Sequence, residues 1–64
     1  METTLYTLDE AADRLSVSYW TVRRLIAGGE LRAVRVSKRG VRVDSRDLAA
    51  YVDGLREQAR AAEG

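Results

Sequence analysis

The 64-residue sequence contains no cysteine, histidine, proline or phenylalanine. Without cysteine, disulfides and thiolate-bound metals are excluded, and the absence of histidine removes the most common general base and metal ligand. Carboxylates never alternate ahead of a turn glycine, so a calcium loop is excluded as well. A chain this short also buries too small a core to enclose a substrate. These absences predict a protein that is not an enzyme and needs no metal or cofactor.

Long hydrophobic runs are missing too. The longest, 48–52, spans five residues, whereas a membrane helix needs about 20 and a signal-peptide core at least about seven. We therefore expect a cytoplasmic protein. Since there are no internal repeats or linkers, residues 1–64 are expected to form one domain. Its core should cover about 5–55, and 56–64 should be a helical or fraying tail.

The charges are unevenly distributed although the net charge is only +1. Residues 1–22 carry one arginine against four acids, and residues 47–64 carry two arginines against four acids. Residues 23–46 carry eight basic residues against two acids. This asymmetry favours binding of a polyanion, whereas a merely solvated face would mix the two signs.

Residues 8–26 predict a helix-turn-helix. Thr7 and Glu10 have the spacing of a capping box at the start of the first helix. Ser18 suits the N-cap of the second helix, and Gly28 with Gly29 is expected to end it. Ser16 occupies the turn position where glycine is usual. Apolar residues at helical spacing predict the buried side of both helices: Leu8, Ala11, Ala12, Leu15, Val17, Val22, Leu25 and Ile26.

After the glycines the period of the apolar pattern changes from 3.6 to 2. Residues 33–37 and 41–44 alternate apolar and polar side chains around Gly40, which predicts a two-stranded hairpin. The four valines of these strands are expected to face the helices, with Arg35 and Arg42 on the outer face. An isolated hairpin is marginally stable in water, so it should pack against the helices as a wing.

A third helix is predicted after the hairpin, capped by Asp44 or Ser45. Leu48, Tyr51, Val52 and Leu55 have the spacing of its buried stripe. The order α-α-β-β-α predicts a fold that is mainly α with a small β-hairpin, a winged helix-turn-helix.

The candidate DNA-binding residues lie on the free face of the second helix and on the wing. Arginine donates two hydrogen bonds to a guanine edge, and hydroxyl groups suit phosphates or base edges. Tyr19 and Trp20 lie off the buried stripe, although either aromatic ring would also suit a core, and Trp20 would be able to fold over the first helix. The candidate residues are Ser18, Tyr19, Trp20, Thr21, Arg23, Arg24, Arg35, Lys38, Arg39 and Arg42.

Five segments carry a family resemblance. They are 6–18 with its Glu-Ala-Ala-x-x-Leu motif, 21–26, 29–36 beginning Gly-Glu-Leu, 41–43 and 47–52. These segments resemble the excisionase-family DNA-binding domains, which are winged helix-turn-helix modules related to the DNA-binding part of MerR-type regulators. The sequence departs from the family pattern at Trp20, where a small residue is common, and at Arg32, where proline is frequent.

The resemblance implies a phage or mobile-element excisionase, also called a recombination directionality factor, acting at the nucleoid of a bacterial host. Such proteins bind double-stranded DNA near attachment sites, shape it and direct an integrase towards excision. The implied partners are DNA, an integrase and further copies of the chain. MerR-type regulators usually carry an additional domain, so the short chain favours the excisionase. The alternatives are a small MerR-like transcriptional regulator and a winged-helix module that binds an acidic protein.

Overall fold

The computed structural model describes residues 3–38 and 40–63 of the chain, with side chains up to residue 61. The three helices are α1 (Leu8–Leu15), α2 (Tyr19–Ala27) and α3 (Ser45–Glu63). The three strands are β1 (Leu5–Tyr6), β2 (Val34–Arg35) and β3 (Val41–Asp44). The predicted winged helix-turn-helix is confirmed, with one addition. Strand β1, for which the sequence pattern predicts no strand, pairs with β3 in an antiparallel arrangement.

Helix α1 begins and ends with local hydrogen bonds. The Glu10 N–H donates to the Thr7 hydroxyl at 3.1 Å, and the Thr7 N–H donates to the Glu10 carboxylate at 2.8 Å, so the capping box is confirmed. At the other end Ser16 has a left-handed φ of 58°. The Val17 N–H donates back to the carbonyl of Ala12 at 3.0 Å. This reversal interrupts the helical periodicity, so Val17 is exposed and its predicted burial is wrong.

Helix α2 also has the predicted ends. The Ser18 hydroxyl accepts from the Thr21 N–H at 3.1 Å. After the helix, Gly29 adopts a φ of 78°, a conformation that costs little only in glycine. The Glu30 N–H reaches the carbonyl of Leu25 at 2.9 Å, and the Gly29 N–H reaches that of Ile26 at 3.1 Å. These two bonds form a Schellman motif, which ends the helix after nine residues.

The core lies where the two short helices meet β3 and the start of α3. Val22 is fully buried, as is Ala11, and the small side chains of α1 allow α2 to approach closely. Leu31, in the connection between α2 and β2, is also buried although no periodic pattern includes it. The buried hydrophobic residues are Ala11, Ala12, Val22, Leu31, Val43 and Leu48.

The three strands form a sheet in the order β1-β3-β2. In the hairpin Val34 pairs with Arg42 and Arg35 pairs with Val41. Val43 is buried as predicted, but Val34 is 43% exposed and Val36 is 51% exposed. The prediction that all four valines face the helices is therefore wrong for β2.

Strand register explains this difference. Val34 in β2 and Val36 just after it, here called the β2 valines, occupy even positions and the valines of β3 odd positions, while the observed pairing joins even with even. Because directly opposed residues share a face, the β2 valines lie on the outer face with Arg42, and Arg35 lies on the face of Val41. The Val36 N–H donates to the Gly40 carbonyl at 2.8 Å and closes the hairpin around residues 37–39. A connection of two or four residues would have paired even positions with odd ones, and all four valines would then lie on one face.

Gly40 lies where the hairpin ends approach closely. A Cβ atom at this position would lie 2.7 Å from the Ser37 hydroxyl oxygen and 3.0 Å from Cγ2 of Val36. A larger residue would require both side chains to move, so glycine suits this position.

Helix α3 continues through Gly54 as one element of 19 residues. Asp44 precedes it and accepts a hydrogen bond from the Arg46 N–H at 2.8 Å. Leu48 and Tyr51 pack into the core, but Leu55 is exposed, so its predicted burial is wrong. A helix of this length extends about 28 Å, and its second half runs past the small body of the domain. Over the described part of the chain, no helix combines the length and apolar character needed to cross a membrane.

The register makes two valines suitable for a matched comparison. Val43→Thr places a hydroxyl in the core and is expected to lower the free energy of unfolding by about 1–3 kcal/mol. Val36→Thr changes an exposed side chain and is expected to stay within about 0.5 kcal/mol of the original. Urea unfolding followed by circular dichroism measures both. Equal losses in the two variants would contradict the observed register.

Candidate DNA-binding surface

The first turn of α2 carries two of the predicted contact residues in a local network. The Ser18 hydroxyl lies 3.0 Å from that of Thr21 and also caps the helix. Arg24 donates to the Thr21 hydroxyl at 3.4 Å. Both hydroxyl groups therefore have a structural role, and their contact with DNA remains a prediction.

One side of α2 faces the wing. Tyr19 is half-buried, and Arg23 donates to its hydroxyl at 3.2 Å, with the guanidinium 5.9 Å from the centre of the Tyr19 ring. These two residues line an open crevice together with Val41 and Arg42 of β3. The first residues of α1, including Asp9, complete the crevice. Asp9 was not singled out from the sequence, because only the tertiary structure brings it near these arginines.

The opposite side of α2 points away from the body of the domain. Trp20 is 69% exposed and therefore does not fold over α1. Its ring meets the ring of Tyr19 edge-on, with centroids 5.4 Å apart and planes at 72°. Arg24 is also exposed on this side. An aromatic and a cationic side chain thus project from the part of α2 that is furthest from the core.

The wing carries three described basic residues. Arg35 is exposed and donates to the carbonyl of Lys38 at 3.2 Å, which braces the exposed tip. Arg42 was expected to be fully on the outer face, but it is half-buried beside the crevice and donates to the carbonyl of Val41 at 2.9 Å. Arg35 lies on the face of Val41, not on the outer face, because of the register. The predicted contact Arg39 lies outside the described residues.

Within the described residues, no cation of α2 or of the wing forms an ion pair. Among side chains 3–38 and 40–61, the ion pairs within 4 Å are Arg46 with Asp44 and Arg60 with Glu57. The described candidate cations are therefore available to a polyanion. They are Arg23, Arg24, Arg35, Lys38 and Arg42.

Two acidic residues, Glu10 and Asp44, have local hydrogen-bond partners. The pKa of Glu10 is lowered, first by the hydrogen bond from the backbone N–H of Thr7 and then by hydrogen bonding with the Thr7 side chain. Hydrogen bonds from Arg46 likewise lower the pKa of Asp44. Within the described part of the chain, no group of three or more acidic side chains is placed to hold a metal ion.

Comparison with known proteins identifies the family. Residues 5–56 match the family model described as a helix-turn-helix domain. An excisionase of Mycobacterium phage D29 is 46% identical over 45 residues, which cover 70% of this chain and 80% of that protein. The uncharacterized protein YvgK of Bacillus subtilis is 46% identical over 55 residues, covering 86% of this chain but only 18% of that longer protein. The chain therefore belongs to the excisionase-type helix-turn-helix DNA-binding domains.

Proposed function

We propose that the chain acts as a recombination directionality factor, binding near attachment sites and directing an integrase towards excision. The observation that carries this proposal is the 46% identity to a phage excisionase over 80% of that protein's length. The described cations of α2 and the wing form no ion pair within 4 Å among the described side chains, and this supports the binding mode. The site of action would be the DNA in the cytoplasm of a bacterial host.

Helix α2 is the element proposed to enter the major groove. The major groove is about 12 Å wide, which admits one α-helix. The nine residues of α2 give it a length of about 13 Å along its axis. Arg24 lies on its outer side and Arg23 on the side facing the wing, and both exposed side chains are long enough to donate two hydrogen bonds each to a guanine edge. The N-terminus of the helix, at Ser18, favours a phosphate.

The wing is proposed to contact the phosphates beside that groove. Arg35 and Lys38 project near its tip, and Arg42 lies between the wing and α2. Contacts of this kind fix the position of the protein on DNA without reading its sequence. Arg39, which the sequence places in the predicted turn of the hairpin, is proposed to act in the same way on the evidence of the sequence alone.

The chain would shape the DNA while the integrase performs the chemistry. A module of this size reads few base pairs, so specificity would come from several copies on adjacent sites or from the integrase. Bending the DNA near an attachment site changes which sites the integrase can bring together. A bound protein therefore influences the direction of recombination without cutting DNA itself.

Removing the helix arginines should reduce sequence-specific binding. We expect Arg23→Ala and Arg24→Ala each to weaken binding to a duplex selected from a random library by about fivefold to 150-fold, equivalent to about 1–3 kcal/mol. The loss on unselected DNA should be smaller, because that DNA is held by phosphate contacts. Fluorescence anisotropy of labelled DNA measures both affinities. Arg56→Ala, an exposed arginine on α3, is the matched control, and equal losses on the two DNAs would contradict base contact.

Removing the wing cations should change the salt dependence. Arg35→Ala and Lys38→Ala are expected to weaken binding to selected and unselected DNA alike. Each should reduce the slope of log affinity against log salt by about 0.9, the value for one neutralised phosphate. Titrations at several salt concentrations give the slope. An unchanged slope in both variants would exclude the wing from the interface.

The biological role is tested by reconstituted recombination. With the integrase encoded in the same genome, the chain should stimulate recombination between attL and attR and should not stimulate that between attP and attB. A variant carrying both Arg23→Ala and Arg24→Ala should fail to stimulate, because it no longer reads its site.

Two controls make the assay decisive. Circular dichroism must show that the double variant is folded, and footprinting must show where the wild-type chain binds. Binding at a promoter, with no effect on recombination, would contradict the excision role and favour transcriptional regulation. No binding to any duplex would contradict the DNA-binding mode itself.

A further inference from the structure

Trp20 occupies the part of α2 that projects furthest from the core. Val22, which is fully buried, marks the inward direction of the helix. At 3.6 residues per turn, Trp20 and Arg24 each lie within about 20° of the opposite direction. Their side chains therefore form the outer ridge of α2, and this ridge is the part that reaches deepest when the helix lies in a groove.

The indole ring is positioned by its neighbours on the helix and not by the core. Tyr19 contacts it edge-on at a centroid distance of 5.4 Å, and Arg23 in turn holds the Tyr19 hydroxyl at 3.2 Å. Arg24 donates towards Thr21, on the side of the ridge away from Trp20. A large part of the indole surface is consequently left open to solvent, with 69% of the residue exposed.

Because the exposed indole face is apolar, its favourable contact in the groove is with another apolar group. The edges of the bases in the major groove present hydrogen-bond donors and acceptors, and the one apolar group among them is the C5-methyl group of thymine. The indole ring is apolar except for its single N–H. Arg24 and Thr21, beside it, supply the polar groups for the neighbouring bases.

We propose that Trp20 is a specificity-determining residue that packs its indole ring on a thymine methyl group in the major groove. This inference rests on the proposed binding of DNA through α2. It does not depend on the excision role. It assigns a thymine to the recognised site, next to the base pairs contacted by Arg24.

The experiment uses the intact chain, in which Trp20 is the only tryptophan. Selected duplex DNA carries a dye, so anisotropy reports binding while tryptophan emission, excited where tyrosine does not absorb, reports the environment of Trp20. On binding, the emission should change and quenching by acrylamide should fall several-fold. Each thymine of the selected site is then replaced in turn by uracil, which lacks only the methyl group.

One uracil substitution should weaken binding of the wild-type chain about fourfold. This is the factor that corresponds to one buried methylene-sized group at about 0.8 kcal/mol. Trp20→Ala should bind the thymine site more weakly than wild type and should show no uracil penalty at that position. This double comparison isolates the contact between the ring and the methyl group. Leu55→Ala, which removes an exposed apolar side chain from α3, should behave like wild type.

Four outcomes overturn the proposal. Unchanged tryptophan emission and quenching, with DNA bound according to anisotropy, would place Trp20 outside the interface. A Trp20→Ala variant that keeps the uracil penalty, or a wild-type chain with no penalty at any thymine, would exclude the methyl contact. Absence of DNA binding by the wild-type chain would overturn the proposed function and this inference together.

Discussion

The close packing of α2 on α1 is the contact on which the geometry of the binding surface depends. Val22 is buried against a helix whose central residues, Ala11 and Ala12, are small enough to let the two backbones approach. Burying Val22 fixes the rotation of α2 about its own axis. That rotation sends Trp20 and Arg24 outward and turns Tyr19 and Arg23 towards the wing. A larger residue at either alanine would force the helices apart and reorient all four side chains.

The wing depends on a different constraint, the pairing of β3 with a strand on each side. Gly40 permits the tight closure of the hairpin, and β1 pairs with the opposite edge of β3. The resulting register leaves the apolar side chains of Val34 and Val36 exposed and puts Arg35 on the face of Val41. Arg42, which lines the crevice, presents positive charge beside α2. A fold of this size thus brings two basic elements side by side with very few buried residues.

The three helices, the hairpin and most of the core were predictable because their signals are local. The Thr7–Glu10 capping box, the Ser18 cap and the glycine after α2 each involve residues within about one turn of helix, so the sequence contains both partners. The burial of Val22 follows from helical spacing in the same way. Leu31 was not predictable, because it lies in an irregular connection whose burial depends on neighbours distant in the chain. Val17 and Leu55 fit an apolar pattern but lie where the chain turns or runs past the body.

The sequence by itself determined where the helices begin and end, which segment forms the hairpin, and the concentration of positive charge in the middle of the chain. These follow from short-range hydrogen bonding, from periodicity and from composition. Only the tertiary structure decided the strand register, the side of the wing on which Arg35 lies, the meeting of Asp9 with the crevice and the exposure of Trp20. Each of these depends on how residues far apart in the chain pack together, and a change of one residue in register reverses every side chain of a strand.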